Sequence, residues 1–219
     1  MTQNELESIK LLENTKLAFI GCGVMGEAIV AGLLRKKLVQ PNQIVASHPR
    51  LQRREELTEK HRIEVFEHNP DAVKSLPDNN SMVVLCVKPQ RLKAVLGELS
   101  GIVNPNQLII SIIAGATIET ISEALENDFV VRAMPNTPSQ IGQGMTAWTC
   151  SEKVKSEQKE QVKVLLTALG KEIYVETENQ IDMATSLSAT GPTYIFMVME
   201  ALTDAGVHLG FSREVSKEL

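Results

Sequence analysis

Three glycines near the start of the chain have the spacing at which a protein backbone can meet phosphate groups. Gly21, Gly23 and Gly26 follow the apolar run 17–20 and precede the helical pattern 27–35. The first glycine would permit a tight turn, the second would let the backbone approach a pyrophosphate, and the third would let the helix pack against the strand. The helix N-terminus would add free N–H groups and a positive dipole end. The alternative is a strand–helix turn that binds nothing.

This pattern predicts a dinucleotide site at the first strand–helix turn. Its predicted residues are Gly21, Cys22, Gly23, Val24, Met25 and Gly26.

The segment after the second predicted strand bears on which dinucleotide is preferred. The strand pattern 43–46 is followed by Ser47, His48, Pro49 and Arg50, without an acid. An Asp or Glu here would bond the ribose 2′-OH of NAD, whereas a hydroxyl and a guanidinium suit a 2′-phosphate. The residues therefore favour NADP, with NAD as the alternative. The competing interpretation is that Ser47 and Pro49 only make a turn and Arg50 only opens the next helix.

Three further loops follow predicted strands, and open α/β sheets bind ligands at such strand ends. One loop contains a proline that would make it rigid, and another a glycine that would let a ring approach closely. Each loop alone is equally well explained as an ordinary turn, but three loops at one sheet edge favour function. The residues are Val87, Lys88 and Pro89 after the run 82–87, Ala114 and Gly115 after the run 108–113, and Met134 and Asn136 in RAMPNTP at 132–138.

The elements that must position these residues alternate between strand and helix patterns along most of the chain. This alternation predicts an α/β fold with a doubly wound, mainly parallel sheet of the Rossmann type. From residue 182 onward the pattern becomes helical, with helices over 182–188 and 193–206 separated by Thr190, Gly191 and Pro192. We expect a dinucleotide-binding domain over 1–178 and the incomplete start of a helical domain over 179–219.

The composition excludes several classes of protein. The chain has 219 residues, 43% hydrophobic and 22% charged, with a net charge of −5, which disfavours a nucleic-acid surface. Cys22, Cys86 and Cys150 lie far apart, so no metal-ligand spacing exists, and their odd number suggests a reducing cytoplasm. No secretory signal and no apolar run of membrane-spanning length is found. We expect a cytoplasmic protein without metal, membrane or nucleic-acid partner.

Together these segments resemble the Δ1-pyrroline-5-carboxylate reductase family across almost the whole chain. The matching strings are FIGCGVMGEAI, VKPQ, SIIAGAT, RAMPNTP with Gly142 and Gly144 after it, and LSATGPTYIFMVMEALTDAGVHLG. The last two are the most specific, since other Rossmann enzymes lack them. The resemblance implies reduction of a cyclic imine carboxylate to L-proline with NAD(P)H, the final step of proline biosynthesis. It also implies that residues 179–219 begin an all-helical dimerisation domain of a homodimer or larger homo-oligomer.

The resemblance also assigns positions to the site residues. Residues 21–26 would hold the pyrophosphate, Ser47 and Arg50 would lie at the 2′-phosphate, and Asn69, itself a helix N-cap candidate, would lie near the adenosine ribose. The loops at residues 87–89 and 114–115 would line the nicotinamide half. The substrate end would be formed by Met134, Asn136, Ser188, Thr190, Gly191 and Pro192.

Three features depart from the family pattern. Residues 188–194 read SATGPTY where the family usually has SGSGPAY, which keeps the Gly-Pro pair and adds bulk. His48 stands where an Asn or Asp is common. The chain stops at Leu219, before the glycine-rich loop with which the family holds its substrate. We therefore expect a truncated form that binds NADPH and reduces the imine weakly.

No side chain is singled out as catalytic, because a protonated imine is already an electrophile and needs mainly to be placed against the nicotinamide. Two other functions stay open. A β-hydroxyacid dehydrogenase would need a lysine on the long helix after the Rossmann domain, and residues 183–210 contain none. A non-catalytic dinucleotide-binding module would not need the loops at the nicotinamide end.

Overall fold

The computed structural model describes residues 3–219, with side chains from Leu6 onward. Within this part, eight strands form one sheet in the order β3-β2-β1-β4-β5-β6-β7-β8. Strands β1 to β6 are parallel, β7 is antiparallel to β6, and β8 is parallel to β7. The predicted doubly wound, mainly parallel sheet is confirmed. The strands are β1 (Lys16–Ile20), β2 (Ile44–Ser47), β3 (Glu64–Phe66), β4 (Ser81–Leu85), β5 (Leu108–Ser111), β6 (Val130–Met134), β7 (Gly144–Cys150) and β8 (Gly170–Tyr174).

Helices cover both faces of this sheet, and three short 3₁₀ turns connect elements at Pro41–Gln43, Pro89–Arg91 and Thr137–Ile141. A further helical segment follows β8. The helices are α1 (Gln3–Leu12), α2 (Val24–Arg35), α3 (Leu51–His61), α4 (Asn69–Lys74), α5 (Leu92–Leu99), α6 (Ile118–Leu125), α7 (Ser156–Thr167), α8 (Asn179–Ala184), α9 (Gly191–His208) and α10 (Arg213–Glu218).

The central strands are apolar on both faces because helices cover both sides of the sheet. In β1, Phe19 packs with Leu33 of α2 and Leu165 of α7 in one core cluster. Ile20 points to the opposite face, in a second cluster with Leu99 of α5. Such continuous apolar strands are expected of parallel sheets buried on both faces.

The strand order places a topological switch beside β1. The chain passes from β1 outward to β2 and β3, then returns to β4 on the other side of β1. Loops that leave β1 and β4 therefore diverge, and the crevice between them at the carboxyl edge is where open α/β sheets bind ligands.

Two details of the predicted elements are wrong. The amphipathic pattern of 152–169 predicts one long helix with Gly170 as its C-cap, but α7 begins at Ser156 and ends at Thr167. Gly170, expected as its C-cap, instead starts β8 with φ of 138°, and a Cβ there would come within 2.3 Å of the Gly144 carbonyl oxygen. The close pairing of β7 and β8 explains why glycine stands at this position.

The helical segment after β8 is almost continuous, which corrects the predicted break at Thr190, Gly191 and Pro192. After α8, residues Thr185–Ala189 form one π-helical turn, Thr190 keeps helical dihedrals, and Gly191 begins α9. Proline is tolerated here because it occupies the first turn of α9, where its missing N–H costs little. A Gly-Pro pair that predicts a break by itself thus lies inside a helical path.

Helix α9 has no buried residue. Its apolar side chains project on several sides, and Phe196 and Leu202 are 62% and 67% exposed. Within residues 3–219, no helix is both long enough and apolar enough to cross a membrane.

Candidate functional site

The glycine turn connects β1 to α2 at the switch point. Gly21 adopts φ of 71°, and a Cβ there would come within 2.2 Å of Val87 Cγ1, so both backbone conformation and space require glycine. A Cβ on Gly23 would meet only the Gly21 oxygen at 3.8 Å, which leaves that side of the turn open to a ligand. A Cβ on Gly26 would lie 3.2 Å from Cys86, which follows β4, so α2 packs closely against the sheet there. Gly21 and Gly26 thus have the turn and packing roles that their spacing predicts, and the pyrophosphate role of Gly23 stays a prediction.

The N-terminus of α2 opens into this turn. Gly23 is the N-cap and has no side chain to bond the first N–H groups of the helix. Val24, in the first turn, is 61% exposed. Free N–H groups and the helix dipole together suit an anion such as a pyrophosphate.

A hydrogen-bond chain supports the glycine turn from the β2 side. Gly21 N–H donates to Ser47 Oγ at 3.2 Å, and Ser47 Oγ donates to Asn69 Oδ1 at 2.7 Å. Asn69 Nδ2 then donates to Glu98 at 2.6 Å. Ser47 is fully buried. This differs from the expectation of a direct 2′-phosphate contact: the hydroxyl of Ser47 is committed to holding the turn.

Asn69 also differs from its expected place in the helix. His68 is the N-cap of α4, and Asn69 is the first helical residue. Its side chain therefore bridges Ser47 and Glu98 rather than capping the helix.

A cleft of about 260 Å³ lies between the glycine turn and the start of α3. Arg50, the N-cap of α3, is exposed at this cleft. Arg53 also lines it but pairs with Glu27 at 2.5 Å and Glu56 at 3.2 Å. Among the side chains described from Leu6 onward, no ion pair holds the guanidinium of Arg50. Arg50 is therefore the cation of this cleft that can bind an incoming anion.

His48 shapes the loop before Arg50. Its Nδ1 accepts the Arg50 backbone N–H at 3.2 Å. Burial lowers the pKa of His48, and the positive charge of Arg50 lowers it further. The imidazole is thus neutral near pH 7 and fixes the loop as an acceptor, so it adds no charge for a phosphate.

Glu27 in the first turn of α2 ties that helix to α3. Its carboxylate contacts Arg53 at 2.5 Å, Lys60 at 2.8 Å and His61 at 3.0 Å. Burial by itself would raise the pKa of Glu27, but hydrogen bonds from Lys60, His61 and Arg53 outweigh it and lower the pKa to about 2. The ionised carboxylate thus joins α2 to α3, the two helices on either side of the cleft that Arg50 lines.

The loops after β4 and β5 lie side by side, because these strands pair with Leu85 opposite Ser111. Lys88 and Pro89 are exposed after β4, where Pro89 opens a 3₁₀ turn. Gly115 after β5 has φ of 73°, and a Cβ there would have nothing within 4 Å, so its face is open. The structure thus places these predicted residues at one edge, beyond the glycine turn.

Asn136 joins the loop after β6 to the helical segment. Its Nδ2 donates to the Ser188 carbonyl oxygen at 3.1 Å, and its Oδ1 accepts from Met145 N–H at 2.9 Å. The Ser188 carbonyl needs this partner because the residue four positions later is Pro192, which has no N–H. The amide expected to face the reacting end is therefore used to hold the helical segment.

Hydroxyl groups bond further carbonyls in and beside the π turn. Thr190 N–H and Oγ1 both bond the Thr185 oxygen, at 3.0 and 2.7 Å. Ser188 Oγ donates to the Ala184 oxygen at 3.1 Å. π turns occur often at functional sites, and this one contains the predicted substrate-end residue Ser188 and is followed directly by Thr190.

Arg132 is a residue whose role the sequence patterns did not reveal. It lies on β6, shares the face of Val130, and is only 2% exposed. Its guanidinium contacts Glu178 at 3.0 Å and Asp182 of α8 at 2.6 Å. The signal that could have found it is an arginine at an inward position of the apolar strand FVVRAM, because such a charge needs a partner.

The remaining reactive groups suggest no metal or thiol chemistry. Burial raises the pKa of Cys22 to about 12, and burial likewise raises the pKa of Cys86. Across residues 3–219, no group of three or more His, Cys, Asp or Glu side chains could hold a metal ion.

A glycine turn at the switch point, an open helix N-terminus and a free guanidinium after β2 are the features of a Rossmann-type dinucleotide-binding domain. Comparison with known families agrees. Residues 16–115 match the family model described as NADP oxidoreductase coenzyme F420-dependent. Residues 178–219 match the model described as pyrroline-5-carboxylate reductase dimerisation.

The relatives specify the family. A pyrroline-5-carboxylate reductase of Pseudomonas aeruginosa is 39% identical over 95% of this chain and 75% of its own length. A solved pyrroline-5-carboxylate reductase of Coxiella burnetii has a TM-score of 0.82 and 35% identity, covering 93% of this chain and 74% of that one. A Plasmodium falciparum pyrroline carboxylate reductase solved with NADP bound has a TM-score of 0.80 and 29% identity, covering 94% and 74%. The chain belongs to the pyrroline-5-carboxylate reductase family.

Proposed function

We propose that this chain catalyses the NAD(P)H-dependent reduction of 1-pyrroline-5-carboxylate to L-proline. The observation that carries the proposal is the arrangement at the carboxyl edge of the sheet. There, the glycine turn and the loops after β4, β5 and β6 follow neighbouring parallel strands, and Asn136 in the last of these loops bonds the helical segment at Ser188. The family to which the chain belongs takes its name from this substrate.

NADPH is the proposed cofactor, with NADH as the weaker alternative. The open side of Gly23 and the N-terminus of α2 suit its pyrophosphate. Arg50 supplies a charge for the 2′-phosphate, since guanidinium groups bind phosphate through short, charge-assisted hydrogen bonds. The Plasmodium falciparum relative was solved with NADP bound, which supports this assignment. Ser47, His48 and Asn69 would support the glycine turn and the Arg50 loop, which contact the adenosine end of the cofactor.

The nicotinamide half is proposed to lie over the loops after β4 and β5. The exposed Lys88 and Pro89 border it on one side, and Ala114 and Gly115 on the other. Val87, beneath Gly21, would link this half to the glycine turn. The open face of Gly115 would let a flat ring lie against the backbone.

The imine is proposed to bind between these loops and the π turn. Met134 is half-buried at the end of β6, and Ser188, Thr190, Gly191 and Pro192 are half-buried across from it. When bound, the reduced nicotinamide supplies the hydride to the imine carbon. The residues of the chain hold the two reactants in line, and the ring nitrogen receives its proton from a hydroxyl or from solvent.

Residues 1–178 and 179–219 are proposed to be separate domains, the first for cofactor binding and the second for assembly. The exposed apolar surface of α9 supports a homodimer or larger homo-oligomer. We propose a cytoplasmic location, where cysteines stay reduced.

The reaction is tested by following NADPH oxidation on adding 1-pyrroline-5-carboxylate. Loss of NADPH absorbance with formation of L-proline supports the proposal. Oxidation of a β-hydroxyacid with NADP⁺, but no imine reduction, would assign the dehydrogenase function instead.

Binding separates the enzyme from a non-catalytic module. NADPH is titrated by fluorescence with and without L-proline as a product analogue. We expect L-proline to change the NADPH titration, because both molecules share the crevice. A titration that ignores L-proline at every concentration contradicts the proposed substrate site.

A further inference from the structure

Arg132 is held in an unusual environment for a charged side chain. It is among the largest fully buried side chains described, and its Nε has no hydrogen-bond partner. A buried guanidinium with an unsatisfied N–H weakens a fold unless its other bonds are strong. An apolar residue would fill this strand position at a lower desolvation cost. The reason for a charged residue here must therefore lie in its ion-pair contacts.

Both carboxylates that pair with Arg132 lie where the sheet meets the helical segment. Asp182 is on α8, and Glu178 immediately precedes that helix. Glu178 Oε1 also accepts the Ile118 N–H at 2.8 Å, at the start of α6. One guanidinium thus connects the middle of β6, the first turn of α6 and the beginning of the helical segment.

Among the described side-chain polar bonds, this ion-pair cluster is one of two attachments of the helical segment to β6 and the loop after it. The other is the bond from Asn136 to the Ser188 carbonyl, four residues after Arg132 on the same strand-loop unit. The π turn Thr185–Ala189 follows the first attachment and contains Ser188, the second. Two attachments at different points of a helical segment fix its rotation about its own axis as well as its distance from the sheet. One attachment fixes only the distance.

We propose that Arg132 is a positioning residue, whose pairs with Glu178 and Asp182 set the rotation of α8 and hence the place of the π turn over the nicotinamide edge. This inference rests on the proposed function for its effect on the imine. It requires no effect on cofactor binding, because the glycine turn and the Arg50 cleft belong to β1, α2 and α3.

The test compares two surface aspartates that each accept one arginine bond. Asp182→Asn removes a charge from the Arg132 pair at 2.6 Å, and Asp204→Asn removes one from the Arg213 pair at 2.9 Å. The two aspartate side chains are similarly exposed, at 58% and 54%. The second variant is therefore a matched control for loss of a carboxylate in the same helical region.

We expect Asp182→Asn to raise KM for the imine by about tenfold, since small misplacements of a reacting partner are costly. NADPH affinity should stay within about twofold of wild type, and Asp204→Asn should change neither value. Arg132→Lys keeps the charge but loses the contact to both carboxylates, so its KM for the imine should lie between the values of the wild type and Asp182→Asn. Equal KM values for the two aspartate variants, or a parallel loss of NADPH affinity, overturn the proposal.

Hydrogen exchange separates this inference from the proposed reaction. If the wild type reduces no imine, the reaction proposal fails, and the positioning role is decided by amide exchange in the free protein. We expect residues 185–192 to exchange faster in Asp182→Asn than in Asp204→Asn, with residues 21–47 unchanged. Equal exchange at residues 185–192 in both variants overturns the positioning role whatever the activity.

Discussion

Similar apolar residues are buried in the sheet and exposed in the helical segment that follows it. Phe19 and Leu85 in the sheet are fully buried, whereas Phe196 and Leu202 in α9 are 62% and 67% exposed. Exposed apolar surface of this extent is typical of an interface rather than of a free surface. The difference teaches that the sheet contains its own core, while α9 needs a partner to cover it.

The two regions also differ in how their polar groups are satisfied. Around the glycine turn, Ser47, Asn69 and Glu98 form a continuous chain within the α/β part. The helical segment depends on groups from the sheet, chiefly Arg132 and Asn136. Cofactor binding should therefore be insensitive to changes in α9, and single substitutions in each region can break or sharpen that separation.

The largest expected effect is at the glycine turn. Gly21→Ala forces a left-handed residue to carry a Cβ that would lie 2.2 Å from Val87 Cγ1. We expect a loss of about 2–5 kcal/mol in unfolding free energy and about 100-fold weaker NADPH binding. Denaturant unfolding and fluorescence titration measure the two.

Gly101→Ala is the matched control for that change. Gly101 has φ of 70° but nothing within 4 Å of a Cβ. Gly101→Ala should lower the free energy of unfolding by only about 1–2 kcal/mol and leave the NADPH affinity unchanged. Equal losses in both variants would show that crowding against Val87 is unimportant.

The next effect concerns the exposed face of α9. Phe196→Glu places a charge in the apolar surface and should weaken self-association by about 100-fold, because a buried unpaired charge is costly. Sedimentation velocity measures the assembly. Ile141→Glu, at a 71% exposed apolar residue outside the helical segment, should leave the assembly intact. A Phe196→Glu chain that sediments as the wild type refutes the assigned interface.

A smaller effect is expected at the adenosine end. Arg50→Ala should weaken NADPH binding by about 10–100-fold and leave NADH binding unchanged, since only NADPH carries the 2′-phosphate. Lys163→Ala, which removes an exposed charge from α7, controls for net charge. Parallel weakening of both cofactors by Arg50→Ala would remove Arg50 from the phosphate site.

The smallest expected effect is the pH dependence contributed by Glu27. Its pKa of about 2 in the folded protein lies below the ordinary value of 4.5. Its stabilisation is therefore complete above about pH 4.5 and is lost as pH falls toward 2. Glu27→Gln should cost about 1–2 kcal/mol at pH 7, since solvent screens part of the cluster, and the difference from wild type should shrink on acidification. A difference constant from pH 7 to pH 3 contradicts the ion-pair origin.

Local sequence patterns were sufficient to locate β1 and the glycine turn, because the glycine spacing expresses backbone roles, but α2 begins at Val24 rather than at the predicted residue 27. They were also sufficient for the parallel strands, whose apolar runs are continuous. The π turn was not predictable, because Pro192 by itself indicates a break, and the Asn136 bond to Ser188 that supports the helical path lies 52 residues away in the chain.

The polar contacts of the site were also beyond reach of the sequence. Ser47 could be placed at the end of β2, but its commitment to Gly21 and Asn69 depends on three elements meeting in space. Arg132 stood within a recognised motif, yet its partners Glu178 and Asp182 are 46 and 50 residues distant. Residue types predicted where the site lies, and tertiary contacts determine which groups are free to bind.

The most direct test of the separation between the two regions is the NADPH dissociation constant of the Phe196→Glu variant, measured by fluorescence titration at a concentration where sedimentation shows it dissociated. The account predicts a value within about twofold of the associated wild type, because the turn, the α2 N-terminus and Arg50 all belong to the α/β part. A value tenfold weaker or more, with the sheet still folded by circular dichroism, would contradict it.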